Sequence, residues 1–133
     1  MSDALTDTFE DRVLNWLLTT NSVTRPTTWY VGLFASGNAP TDSTSGTELS
    51  GSNYSRVQVT FSVSGTSPTT ATNTATLTFP TASGSWGSVT TAGIFDASTS
   101  GNLIAYANLS NAKTIEANDI LQIASGQLDV TLT

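Results

Sequence analysis

Residues Tyr54 to Val63 read YSRVQVTFSV, and the alternation in these ten positions decides the fold class. Val57, Val59, Phe61 and Val63 fall on one side of an extended chain; Tyr54, Arg56, Gln58 and Thr60 fall on the other. Successive side chains of a strand point to opposite faces, so the run predicts a half-buried strand with its apolar set inward.

The same period of two continues in both directions. Upstream, Trp29, Val31 and Leu33 share one face while Tyr30 and Phe34 share the other, which predicts a central strand, apolar on both sides. Downstream, Ser64 to Thr72 reads as a polar linker. Ala75, Leu77 and Phe79 then alternate with threonines until Pro80 stops the strand. GSWGSVTTAGIFD (Gly84–Asp96) supplies a strand from about Val89 to Asp96, and DASTSGN is a hairpin turn into Leu103–Leu109. A turn at Ala117–Asn118–Asp119 precedes a strand with Leu121 and Ile123. Ser125–Gly126 turns into a last strand with Leu128, Val130 and Leu132 inward. Between the first two strands, Ser36–Asn53 is long and rich in Gly, Ser, Thr and Asp; it reads as a loop with a short edge segment at Glu48–Leu49.

Composition agrees with this pattern. Ser and Thr make up about a third of the 133 residues, and charged residues only 11%. Thr suits half-exposed strands and Ser suits turns. The expected fold is therefore all-β: a single jelly-roll-like β-sandwich of about seven or eight short antiparallel strands.

The first twenty residues break the pattern. Leu5, Phe9, Val13, Trp16 and Leu17 recur at spacings of three and four, widened by Leu14 and Leu18, which is the stripe of an amphipathic helix. Asp7 and Glu10 fit a capping box, and Asp3, Asp7, Glu10 and Asp11 lie where a helix dipole favours anions. The chain thus divides into a helical arm, 1–22, and a sandwich domain, 23–133. The stripe admits two readings: it folds over one sheet of its own chain, or it packs on a neighbouring subunit.

The residues exclude most chemistry. There is no His and no Cys, so the commonest general base, the commonest metal ligand and every thiolate are absent. The only Lys is Lys113, and no GxSxG elbow occurs. Glu48, Asp96 and Glu116 could in principle pair as hydrolytic carboxylates, and Asp42, Asp96, Asp119 and Asp129 could ligate Ca²⁺; all sit in or near turns, where acids more often cap and solvate. Trp29, Tyr30, Tyr54, Trp86 and Tyr106 could form a sugar-stacking platform or, more ordinarily, core. A net charge of −6 argues against nucleic acid, and no 18-residue apolar run argues for a membrane span. No enzyme activity, cofactor or metal is expected.

Three stretches together resemble a family of small bacteriophage structural proteins labelled tail-fibre-like or virion proteins. They are TWYVGLF (Thr28–Phe34), GTELSGSNYSRVQVTF (Gly46–Phe61) and TATLTFPTASGSWGSVTTAGIFDASTSGNLIAYANLSNAKTIEANDILQIASGQLDVTL (Thr74–Leu132). The resemblance implies a virion component with no catalytic residues. Some small β-sandwich proteins of this kind are capsid cement (decoration) proteins, which sit on the outer shell and join neighbouring capsid subunits, commonly as trimers. No shaft repeat is visible, so the expectation is cement, with a tail fibre and a carbohydrate-binding module as alternatives. The expected partners are the major capsid protein and further copies of the chain in a trimer. The expected site is the outer capsid surface of a virion whose parts are made in the host cytoplasm. The expected interface residues are Leu5, Phe9, Val13, Trp16, Glu48, Leu49 and Tyr54.

Overall fold

The structure is a computed structural model that describes residues 5–132. Helix α1 spans Asp7–Leu18; the strands are β1 Trp29–Ala35, β2 Val57–Val59, β3 Phe61–Ser64, β4 Thr69–Asn73, β5 Leu77–Thr78, β6 Gly87–Phe95, β7 Leu103–Ile115, β8 Gln122–Ile123 and β9 Asp129–Leu132. All pairings are antiparallel, in sheets of order β2-β1-β6-β7, β3-β4-β9 and β5-β8. This is the expected all-β sandwich, with the second layer split into a three-stranded sheet and a two-stranded ribbon.

The split begins in Tyr54–Val63. The run breaks at Thr60, so that β2 pairs with β1 while β3 pairs with β4 in the other sheet. Val59 and its neighbours therefore serve one sheet and Val63 the other, where it ends 69% exposed instead of inward. The expected linker is a further difference. Thr69–Asn73 is β4, flanked by β3 and β9 as the middle strand of its sheet. Its Thr-Thr-Ala-Thr composition lacks an apolar alternation, but β-branched Thr and two partner ladders suffice for a strand. Buried Asn73 holds the end of β4. Its Nδ2 donates to the carbonyls of Ala75 and Ala124, its Oδ1 accepts from Leu128 N–H, and its backbone bonds Leu128 and Gly126.

Strand β1 lies between β2 and β6 and is buried on both faces, as its sequence predicts. On one face Val31, Leu33, Val89 and Ala92 meet Leu77, Phe79, Trp86, Ile115 and Leu121 in the main core. On the other, Phe34, Phe95 and Leu103 pack together, with Phe34 and Phe95 stacked at 6.2 Å. Strand β6 bulges at Thr90 against β1, and opposite the same residue β7 carries the extra positions 109–112 between Asn108 and Lys113. Strand β7 runs on to Ile115, past the expected end at Leu109. At the C-terminal strand, Leu132 is exposed and not inward, because β9 is an edge strand of the smaller sheet.

Helix α1 forms where expected, but its start differs. Thr6 is the N-cap, and its hydroxyl donates to Leu103 O at 2.7 Å instead of capping the helix, so no capping box forms. Leu5 lies outside the helix, in a bridge with Ala105 on β7. Asp7 and Glu10 occupy the first turn, where they complement the dipole; Asp3 lies outside the described residues.

Candidate functional site

The expected interface residues fall into three places. Glu48, Leu49 and Tyr54 gather where the Ser36–Asn53 loop folds back on β1. Beyond Val31 the β2 edge leaves β1, and the loop takes over its hydrogen bonds: Leu49 N–H donates to Leu33 O at 3.0 Å, and Leu33 N–H donates to Tyr54 Oη at 2.9 Å. Tyr54 Oη donates on to Glu48 Oε2, which also pairs with Arg56 Nε at 2.7 Å. Arg56 Nη2 reaches Glu48 Oε1, and Nη1 donates to the carbonyls of Ala97 and Ser100 in the β6–β7 hairpin. The guanidinium lies 3.5 Å from the centroid of the Phe95 ring. Gly32 makes room for this: a Cβ there would overlap the Glu48 carboxylate and the Phe95 ring.

Arg56 is thus turned inward, its side chain 7% exposed, where alternation placed it outward. The reason is the partner. An arginine can be buried when a carboxylate and carbonyls take its donors and an aromatic face takes its plane. Burial pushes the Tyr54 phenol well above its ordinary value, the Glu48 charge adds to the rise, and the Leu33 N–H opposes it. The cluster locks the long loop to the sheet; its polar atoms are spent on one another.

Phe9, Val13 and Trp16 form the second place. Phe9 is the one buried residue of α1, with Arg12 4.6 Å over its ring. Val13 and Trp16 are exposed, Trp16 at 71%, and line a groove of about 280 Å³ with Phe9, Val23 and Pro26. Arg12 and Arg25 flank it. Leu14, Leu17 and Leu18 are also exposed, Leu18 at 72%. The helix therefore keeps most of its apolar surface in water. Arg12, Val23, Arg25 and Pro26 were not legible as groove residues; the only signal was an apolar Val and Pro soon after the helix. Leu5 is separate, lining a crevice of about 300 Å³ with Trp29, Phe61 and Ile94 between the two larger sheets.

Each candidate calcium acid is engaged locally. Asp42 accepts from Tyr106 Oη, Asp96 from Asn102, Asp119 from Glu116 N–H, and Asp129 from Thr72. Among the described residues no group of three or more acidic, His or Cys side chains could hold a metal ion. The aromatics do not share a face. Trp86 and Tyr54 meet edge to face at 5.5 Å against the main core, whereas Tyr106 packs against the Phe34 cluster on the opposite side of the sheet. Among the described residues no helix is long and apolar enough to cross a membrane.

The sandwich is thus internally hydrogen-bonded, and its most prominent exposed apolar surface among the described residues is that of α1. The profile of the family described as Podophage GP4 fiber I protein gp80 matches residues 4–131, so the chain belongs to that family of phage virion structural proteins. Comparison with curated proteins gives no match.

Proposed function

We propose that the chain is a non-enzymatic assembly subunit of the phage particle, placed in its fibre apparatus and working by adhesion. The family's description names a fibre protein, its match spans residues 4–131, and that description supports the reading. The exposed Val13, Leu14, Trp16, Leu17 and Leu18 supply a surface for neighbouring proteins. Among the described residues no buried side-chain nitrogen or oxygen lacks a hydrogen-bond partner, which suits a rigid building block more than a reaction site. Self-association into a trimer and contact with a second virion protein through this helix belong to the same reading.

A second reading has its own support. The described residues form one compact sandwich with no shaft-like repeat, which suits a cement protein on the outer capsid, bridging subunits of the major capsid protein. Cement of that kind stabilises a shell because it binds the assembled state and no other. Electron microscopy of virions decorated with gold-labelled antibody to the chain separates the two. Label on fibres supports the first reading, and label over the capsid lattice supports the second. Virions that lack the chain, together with turnover of a small molecule by the purified protein, would sink both.

A further inference from the structure

We infer that the groove beside α1 is the receptor for the opposite flank of α1 in a second copy of this chain, so that the copies join in a ring. The inference rests on the assembly reading above, but not on where in the particle the chain resides. At about 100° per residue, Phe9, Arg12, Val13 and Trp16 share one side of the helix, the side that lines the groove. Leu14, Leu17 and Leu18 lie on the other side, interleaved with Asp7, Glu10 and Asp11. One helix thus carries two apolar surfaces of opposite charge character.

The charges select the occupant. The chain has four cations in all against ten acids. Arg56 is committed to Glu48 inside the protein. Of the remaining three, Arg12 and Arg25 both flank the groove. Two of those three thus stand at one apolar groove, Arg12 with its guanidinium over Phe9, while the helix acids stand beside one apolar ridge. The ridge of one copy meets the groove of the next with leucine on Trp16 and Val13, and carboxylate near guanidinium. Trp16, large and exposed in the single chain, is the natural anchor of such a contact.

Geometry then fixes the kind of symmetry. Ridge and groove lie on largely opposite sides of a single helix. Two copies cannot satisfy both surfaces of both helices, because each helix can present only one side to the other. The contact must pass to a third copy, and such head-to-tail contacts close into rings or run on as filaments. Three is the smallest ring.

Sedimentation equilibrium of the full chain tests this. The wild-type protein is expected at the mass of three or more chains, dissociating as salt rises. Leu14→Lys with Leu18→Lys is expected to give single chains with unchanged circular dichroism, since both side chains are exposed and support no core, and lysine there repels the groove's arginines while suiting the helix C-terminus. Arg25→Glu is expected to weaken association at least tenfold, and adding Glu10→Arg and Asp11→Arg to it to recover most of that loss. A wild-type chain that stays single at millimolar concentration overturns the inference. So does a species of two chains, or an unchanged mass in the leucine variant, or no recovery on charge reversal with α1 intact by circular dichroism. Absence of the chain from virions would sink the functional reading and leave this one standing.

Discussion

Arg56 makes four hydrogen bonds from one guanidinium, two to Glu48 and two to carbonyls of the β6–β7 hairpin. Its charge is almost fully out of water, and Glu48 is 23% exposed. Removing one partner strands the other, so Arg56→Met should cost about 3–5 kcal/mol of stability. The double variant Arg56→Met, Glu48→Met should lose less than Arg56→Met alone, because no unpaired charge remains. Urea denaturation of the two variants reads the difference. Tyr54 adds a pH dependence. Its folded-state phenol titrates above the ordinary 10.0, so its contribution is fully present below that pH and declines as pH rises beyond it. Wild-type stability should therefore fall more steeply above pH 10 than that of Tyr54→Phe, as followed by thermal melts across that range. At Asp96, desolvation would raise the carboxyl, but the Asn102 donors and the Arg12 charge outweigh it and hold it below 3.8. That contribution is present above pH 3.8 and is lost as pH falls through the lower folded value.

Among the elements, β4 shows how little apolar alternation a strand needs. Its Thr-rich sequence looks like a linker until two neighbours supply ladders on both edges. Asn73 then pins its end to the turn before β9. Asn73→Ala removes three side-chain hydrogen bonds and leaves buried backbone groups without partners. It should destabilise by about 1–3 kcal/mol in a calorimetric melt, with loss of strand signal from β4 and β9 first. Helix α1 shows the converse. Its periodicity is legible at once, yet it contributes only Phe9 to its own chain's interior. A helical stripe reports that a face seeks apolar company; it does not report in which molecule.

At the scale of the molecule, burial is uneven, and stability should follow it. β1, β6 and β7 form the densest pairing, whereas α1 rests on Phe9 and a few backbone bonds near Thr6 and Asp7. Amides of the middle of β6 should be the slowest to exchange in hydrogen–deuterium measurements, and those of α1 faster by orders of magnitude in the single chain. Equal protection of both would refute that ranking. Sequence alone determined the antiparallel β class, the two-faced burial of β1, the β6–β7 hairpin and the turns at Asn118 and Gly126. Each of these follows from local periodicity or backbone preference, and a few neighbouring residues express it. Only the tertiary structure decided that Tyr54–Val63 divides between two sheets, that Thr69–Asn73 is a central strand, that Arg56 points inward, and that Val23 and Pro26 complete a groove with α1. Those outcomes depend on partners distant in the chain, such as Glu48, Phe95, β9 and the helix, whose approach no local pattern encodes.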